Sequence, residues 1–175
     1  SVAYDGQLVL WDVGRGEEIR HWQAHSSYGS CVAIAPDGKT VATGGADRLI
    51  YLWDLETGHC RATLSGNGGN VFGLEFPPDG QILYSSGSDS TVRAWEAESG
   101  KFSRFIGLSN CPWALAIAPD GQWLAVGGAD EYIRRWSLPE GKDLGAIATD
   151  GEQLPGLAIT PDGQTIWVSG NHGEI

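Results

Sequence analysis

Residues 36–54 read Pro-Asp-Gly-Lys-Thr-Val-Ala-Thr-Gly-Gly-Ala-Asp-Arg-Leu-Ile-Tyr-Leu-Trp-Asp, and this stretch decides how the chain is read. A Pro-Asp-Gly turn opens it, a short apolar run follows, a second turn ends in Asp47, and another apolar run ends in Trp53-Asp54. Working outward, the same order returns. Pro-Asp-Gly begins at Pro36, Pro78, Pro119 and Pro161, in steps of 42, 41 and 42 residues. Trp11, Trp53, Trp95 and Trp136 keep steps of 42, 42 and 41, and Asp5, Asp47, Asp89 and Asp130 each stand six residues before one of them. Three markers holding one period make the chain a set of copies of one unit.

Each unit reads as four strands. Residues 31–35, 72–76, 114–118 and 156–160 are short apolar segments whose alternate members Val32/Ile34, Leu74/Phe76, Leu115/Ile117 and Leu157/Ile159 form one row, as a period-2 strand requires. Second strands follow each Pro-Asp-Gly at 40–43, 82–85, 123–126 and 165–168. Third strands end in the tryptophans at 49–53, 91–95 and 132–136. Hairpins marked by Gly58, Gly100 and Gly141 lead to outer strands at 60–64 and 102–106. The expected fold is all-β.

A Trp-Asp signature at a period of 40 to 45 residues resembles the WD-repeat β-propeller family, and the resemblance covers essentially the whole chain. Its Pro-Asp-Gly turns are similar to bacterial-type repeats. The last unit, residues 158–171, also resembles the YVTN-type propeller repeat. The implied architecture is a single propeller region, 1–175, of four-stranded antiparallel blades. Blades lie at 30–64, 71–106 and 113–148, with part-blades at 1–25 and 154–175. Three assemblies fit this pattern: an excerpt of a larger propeller, a half-ring that pairs with a second copy into a homodimer, or a closed four-bladed ring. The third makes two copies of one strand compete at the seam. The chain opens at Ser1 and contains no methionine, so its native N-terminus is expected to lie outside the sequence.

The resemblance also implies a buried hydrogen-bonded set, and only one complete set is present: His25, Thr43, Asp47 and Trp53. Its ring nitrogens are expected to bridge Asp47 and Thr43, with the Thr43 hydroxyl on the Trp53 indole. Although His, Asp and Thr also compose hydrolase triads, a fixed place within a repeat gives this trio a structural role. Elsewhere the His position holds Asn67, Leu108 and Asp150, the hydroxyl position holds Ser85, Val126 and Val168, and His172 replaces the last turn aspartate. Those units are expected to rely on apolar packing.

Composition removes several function classes. With 11 Lys plus Arg against 22 Asp plus Glu, the net charge is −11. The largest basic cluster is Arg134-Arg135, whose neighbours point to opposite faces of a strand, so neither nucleic acid nor an anionic membrane is an expected partner. Cys31, Cys60 and Cys111 show no metal or disulfide spacing and read as buried, reduced thiols, hence a cytoplasmic location. No P-loop, HExxH or GxSxG motif occurs, so no catalytic residue, cofactor site or metal site is assigned. Asp37, Asp79, Asp120 and Asp162 belong to turns, and Glu75 is expected to be solvated near the propeller axis.

The expected function is a non-enzymatic scaffold that presents loops to a protein or peptide. Two alternatives stay open, a ligand-sensing regulatory propeller of a multidomain protein and a quinoprotein or peptidase-associated enzyme. In the resembling folds, the segment before the first strand and the turn carrying the aspartate share the recognition face. Here these are 26–29, 67–70, 109–113 and 151–154, joined by turn residues Tyr4, Arg48, Ser88, Ser90 and Glu131. The candidate partner-binding residues are Tyr28, Arg48, Asn70, Trp113 and Glu131. Trp113 aligns with Phe72, which also gives it a packing role.

Overall fold

The four Pro-Asp-Gly turns share one construction, which is why they set the period. In each, the Asp carboxylate accepts the backbone N–H two residues on: Lys39 at 2.8 Å, Gln81 at 3.0 Å, Gln122 at 2.9 Å and Gln164 at 3.0 Å. The following Gly38, Gly80, Gly121 and Gly163 all have φ between 66° and 71°, a left-handed conformation that glycine adopts without a Cβ penalty. A proline, an Asx turn and a left-handed glycine reverse the chain within three residues, and a strand runs out on either side.

A computed structural model describes residues 1–108, 110–149 and 153–170. It contains three four-stranded antiparallel sheets in simple up-and-down order. The first is β3 (Gly29–Ile34), β4 (Thr40–Gly45), β5 (Ile50–Asp54) and β6 (Cys60–Leu64). The second is β7 (Val71–Glu75), β8 (Ile82–Gly87), β9 (Thr91–Glu96) and β10 (Phe102–Gly107). The third is β11 (Pro112–Ile117), β12 (Trp123–Gly128), β13 (Tyr132–Ser137) and β14 (Asp143–Ala148). Two-stranded sheets flank them, β1 (Gln7–Asp12) with β2 (Glu17–Gln23), and β15 (Gly156–Ile159) with β16 (Ile166–Ser169). The described residues form no helix, so none is long and apolar enough to cross a membrane.

The leading strands β3, β7, β11 and β15 contact one another in sequence order, which is the arrangement of propeller blades. Each seam is a layer of apolar side chains. Between the first and second blades, Ala42, Leu52 and Leu64 meet Leu74, Phe76 and Trp95. Between the second and third, Tyr84, Val92 and Ala94 meet Leu115, Ile117 and Trp136. Each signature tryptophan thus inserts into the blade before its own. Trp53 does so against Leu8, Ala24 and Trp22 of the N-terminal strands. Trp11, at the same repeat position, is 49% exposed.

Small residues let these seams close. A Cβ on Gly44 would come 2.6 Å from a Val71 methyl and 2.8 Å from the Cys31 sulfur. Registers slip once near the start of β3, β7 and β11, at Gly29/Cys31, Val71/Gly73 and Pro112/Ala114. The bulged residues are therefore Ser30, Phe72 and Trp113, and a bulge re-aims the side chain it carries.

Two expectations are corrected. The thiols are not all buried: Cys31 and Cys111 are half-buried and Cys60 is exposed on the outer strand β6. Glu75 is not a freely solvated carboxylate. It lies on the side of β7 occupied by Gly73, whose added Cβ would approach the Leu115 Cβ to 3.3 Å. Glu75 therefore faces the third blade and is half-buried, and burial pushes its carboxyl up to about 7.

Candidate recognition face

The turn between β4 and β5 and the segment leading into β3 meet at the same end of the first blade. Ala46 donates its N–H to the Tyr28 carbonyl at 3.0 Å, which holds residues 46–49 beside residues 26–29. Asp47 organises the join. Its carboxylate is 3.0 Å from His25 Nδ1 and accepts the N–H groups of Ser26 at 3.3 Å and Leu49 at 3.2 Å. His25 is fully buried and meets the Tyr51 ring edge-on at 5.1 Å.

The expected four-residue set is divided here into two pairs. Trp53 donates its indole N–H to the Thr43 hydroxyl at 2.9 Å. His25 Nε2 has no hydrogen-bond partner among the described residues, so no bond joins His25 to Thr43. The ring is instead wedged beside the backbone, since a Cβ on Gly45 would lie 2.5 Å from His25 Nδ1. In the second blade Trp95 makes the same bond to Ser85 at 2.9 Å.

Sequence reasoning missed how the blades without histidine hold their turn aspartates. Apolar packing was the expectation; an arginine four residues on does it instead. Arg93 reaches Asp89 at 2.5 Å and Arg134 reaches Asp130 at 2.6 Å. In the first blade that position is Tyr51, which packs on His25. The visible signal was the exchange itself, His with Tyr in one unit and no His with Arg in the next two. Burial would raise the Asp89 carboxyl, but bonds from Thr91, the Gly68 N–H and Arg93 outweigh it and hold it below the ordinary range.

The candidate partner residues are not equally placed. Tyr28 and Asn70 are together: Asn70 Nδ2 donates to the Tyr28 hydroxyl at 2.9 Å. Asn70 is itself fixed, its N–H donating to Ser88 Oγ at 2.8 Å and its carbonyl accepting the Ser88 N–H at 2.8 Å. On the other side Tyr4 stacks on Tyr28, with ring centroids 5.3 Å apart and planes within 6°. Arg48 is exposed in the turn that Ala46 joins to Tyr28, and its carbonyl accepts Asn67 Nδ2 at 3.5 Å.

Trp113 and Glu131 belong to the third blade and lie apart from that cluster. Trp113 is half-buried at its bulge beside the Cys111 thiol; Glu131 is exposed, its carbonyl accepting the Thr149 hydroxyl at 2.9 Å. Residues 109, 150–152 and 172 of the expected loops lie outside the described residues.

A cavity of about 650 Å³ opens at the opposite end of the second blade, lined by Gly80, Gln81, Ile82, Glu96, Ala97 and Glu98. Of its two carboxylates, Glu96 accepts the Ser99 hydroxyl at 2.6 Å. Among the described residues no three His, Cys, Asp or Glu side chains converge to hold a metal.

The model of the WD domain, G-beta repeat, matches residues 16–54, 58–96 and 103–137, well over half of the chain. The chain belongs to the WD40 family. It is 35% identical over 71 residues to the periodic tryptophan protein 2 homolog of Dictyostelium discoideum, and 38% identical over 58 residues to Protein groucho of Drosophila melanogaster. Those alignments cover 41% and 33% of this chain but only 8% of each relative. WD repeats form protein-interaction scaffolds, and the family is generally non-catalytic.

Proposed function

We propose that this WD40 chain is a non-enzymatic scaffold that binds a protein or peptide on the face carrying Tyr4, Tyr28, Arg48 and Asn70. The observation that carries this reading is the line of contacts Tyr4–Tyr28–Asn70, which joins loops from three successive units into one surface. Large aromatic and arginine side chains on a fixed base are the residue types that anchor interfaces. Trp113 and Glu131 extend the face to the third blade.

A photo-crosslinking residue placed at position 4 or 48, and separately at position 98 on the opposite end, tests it. Crosslinks to partner proteins are expected from 4 and 48 and not from 98. Crosslinks confined to 98 would overturn the reading.

The flanks carry a second part of the proposal. Val32 and Ile34 are 39% and 62% exposed, whereas Leu74/Phe76 and Leu115/Ile117 in the same row are buried at blade seams. Trp167 is 58% exposed on the face that Tyr84 and Ala125 bury in their own blades. We infer that further blades cover both faces, either in a longer chain or in a second copy that closes an eight-bladed ring. Light scattering distinguishes the two: a clean dimer supports ring closure by a copy, and open-edged aggregates support an excerpt. A single-chain mass with a cooperative melt would overturn both. An exposed, unpaired thiol at Cys60 fits a reducing compartment, so the reading places the protein in the cytoplasm.

A further inference from the structure

Resting on that reading of the face, we propose that its partner is an acidic peptide segment: a carboxylate pairs with Arg48, and a neighbouring aromatic or proline ring lies on Tyr4. Arg48 is the key. Its φ is 66°, in the left-handed region where a residue with a Cβ is strained. The same turn position is Gly6 in the N-terminal unit, with φ 79°, which adopts that conformation freely, and Ser90 in the second blade, with φ 60°. The fold would therefore be better served by glycine at position 48.

The arginine side chain does nothing for the fold that would offset this strain. The Arg48 N–H donates to the Gly45 carbonyl at 3.2 Å and its carbonyl accepts Asn67, and any residue offers both groups. Its guanidinium makes no ion pair or hydrogen bond among the described residues. The nearest sequence neighbour that could neutralise it, Asp47, is committed to His25, Ser26 and Leu49. By contrast, Arg93 and Arg134 are each paired with a turn aspartate. Arg48 is thus an exposed cation kept at a strained position with its fork of donors unused, and carboxylate is the group that this fork matches.

The second half of the site is the aromatic shelf. Tyr4 is 86% exposed although it stacks on Tyr28, so one ring face is spent on the stack and the rest is open. Tyr28 cannot swing away, because Asn70 holds its hydroxyl. A rigid ring face invites a second flat group, an aromatic side chain or a proline.

The test pans a phage-displayed library of random dodecapeptides on the full chain. Enriched peptides are then synthesised and titrated against the wild type, Arg48→Gly and Tyr28→Ala. The expected peptides carry Asp or Glu beside Trp, Tyr, Phe or Pro. Arg48→Gly is expected to weaken them at least tenfold while melting at the same or a higher temperature. Peptides that lack acidic residues and survive Arg48→Gly, yet are lost with Tyr28→Ala, would overturn this inference and leave the recognition face standing. Peptides indifferent to both substitutions, or no enrichment at all, would overturn the two together. A lower melting temperature for Arg48→Gly would show that the arginine serves the fold, and would also overturn the inference.

Discussion

The Tyr28 hydroxyl, from the loop entering the first blade, accepts a hydrogen bond from Asn70 Nδ2 in the loop entering the second, at 2.9 Å. The two residues are 42 positions apart, one repeat, so equivalent loops of adjacent blades grip each other. A partly buried hydrogen bond of this kind contributes about 0.5–1.5 kcal/mol net. Tyr28→Phe and Asn70→Ala are each expected to lower stability by about that much, and together by no more than the larger single loss. Denaturant unfolding of the two variants and the double variant measures this directly. Fully additive losses would mean that the bond is not formed in solution.

Asp47 holds a buried imidazole and two backbone N–H groups. Asp47→Ala leaves His25 with neither nitrogen paired among the described residues, and frees the N–H groups of Ser26 and Leu49. The expected loss is about 1–3 kcal/mol, the range for unpaired buried polar groups, read as a lower melting temperature. Thr43→Val, which strips only the acceptor of the Trp53 indole, should fall in the same range. Because His25 and Thr43 are not bonded, the two losses should add.

Glu75 makes stability depend on pH in a stated direction. Its folded-state carboxyl is raised from 4.5 to about 7 by burial against the third blade, so between those values the folded chain holds a proton that the unfolded chain has released. Stability from this group is therefore full at acid pH and falls as pH rises through about 7. Glu75→Gln is expected to raise the melting temperature at pH 8 and to change it little at pH 4. A shift of equal size at both pH values would count against this account.

The thiols should separate in their reactivity. Cys60 is exposed on an outer strand and is expected to react with a thiol reagent in the native state. Cys31 is half-buried where its sulfur would touch a Cβ on Gly44, and burial pushes its thiol up to about 12, so it should label more slowly than Cys60. Mass spectrometry of peptides after brief labelling tests the order. Equal labelling of both in the native state would mean that the first seam is open.

What the sequence determined by itself was everything that repeats locally. The four Asx turns with left-handed glycines, the period-2 rows and the Trp-Asp ends are each decided within a few residues by backbone sterics and side-chain-to-backbone hydrogen bonds. That is why the repeat period and the four-stranded sheets could be read off the chain. The candidate site was legible only in part. Repeat position put Tyr28, Arg48 and Asn70 in equivalent loops and turns, but the bond between Tyr28 and Asn70 was not visible in it.

Tertiary structure alone decided what crosses from one unit to the next. Asn70 reaches Tyr28 and Gly73 meets Leu115 because a seam brings together residues some 40 positions apart, and no local pattern encodes that meeting. Packing space likewise kept His25 off Thr43, where the resemblance implied a bond, and gave Asp89 and Asp130 to arginines. The stretch from Pro36 to Asp54 specifies a blade, and its neighbours in space give that blade a surface on which Arg48 is left free.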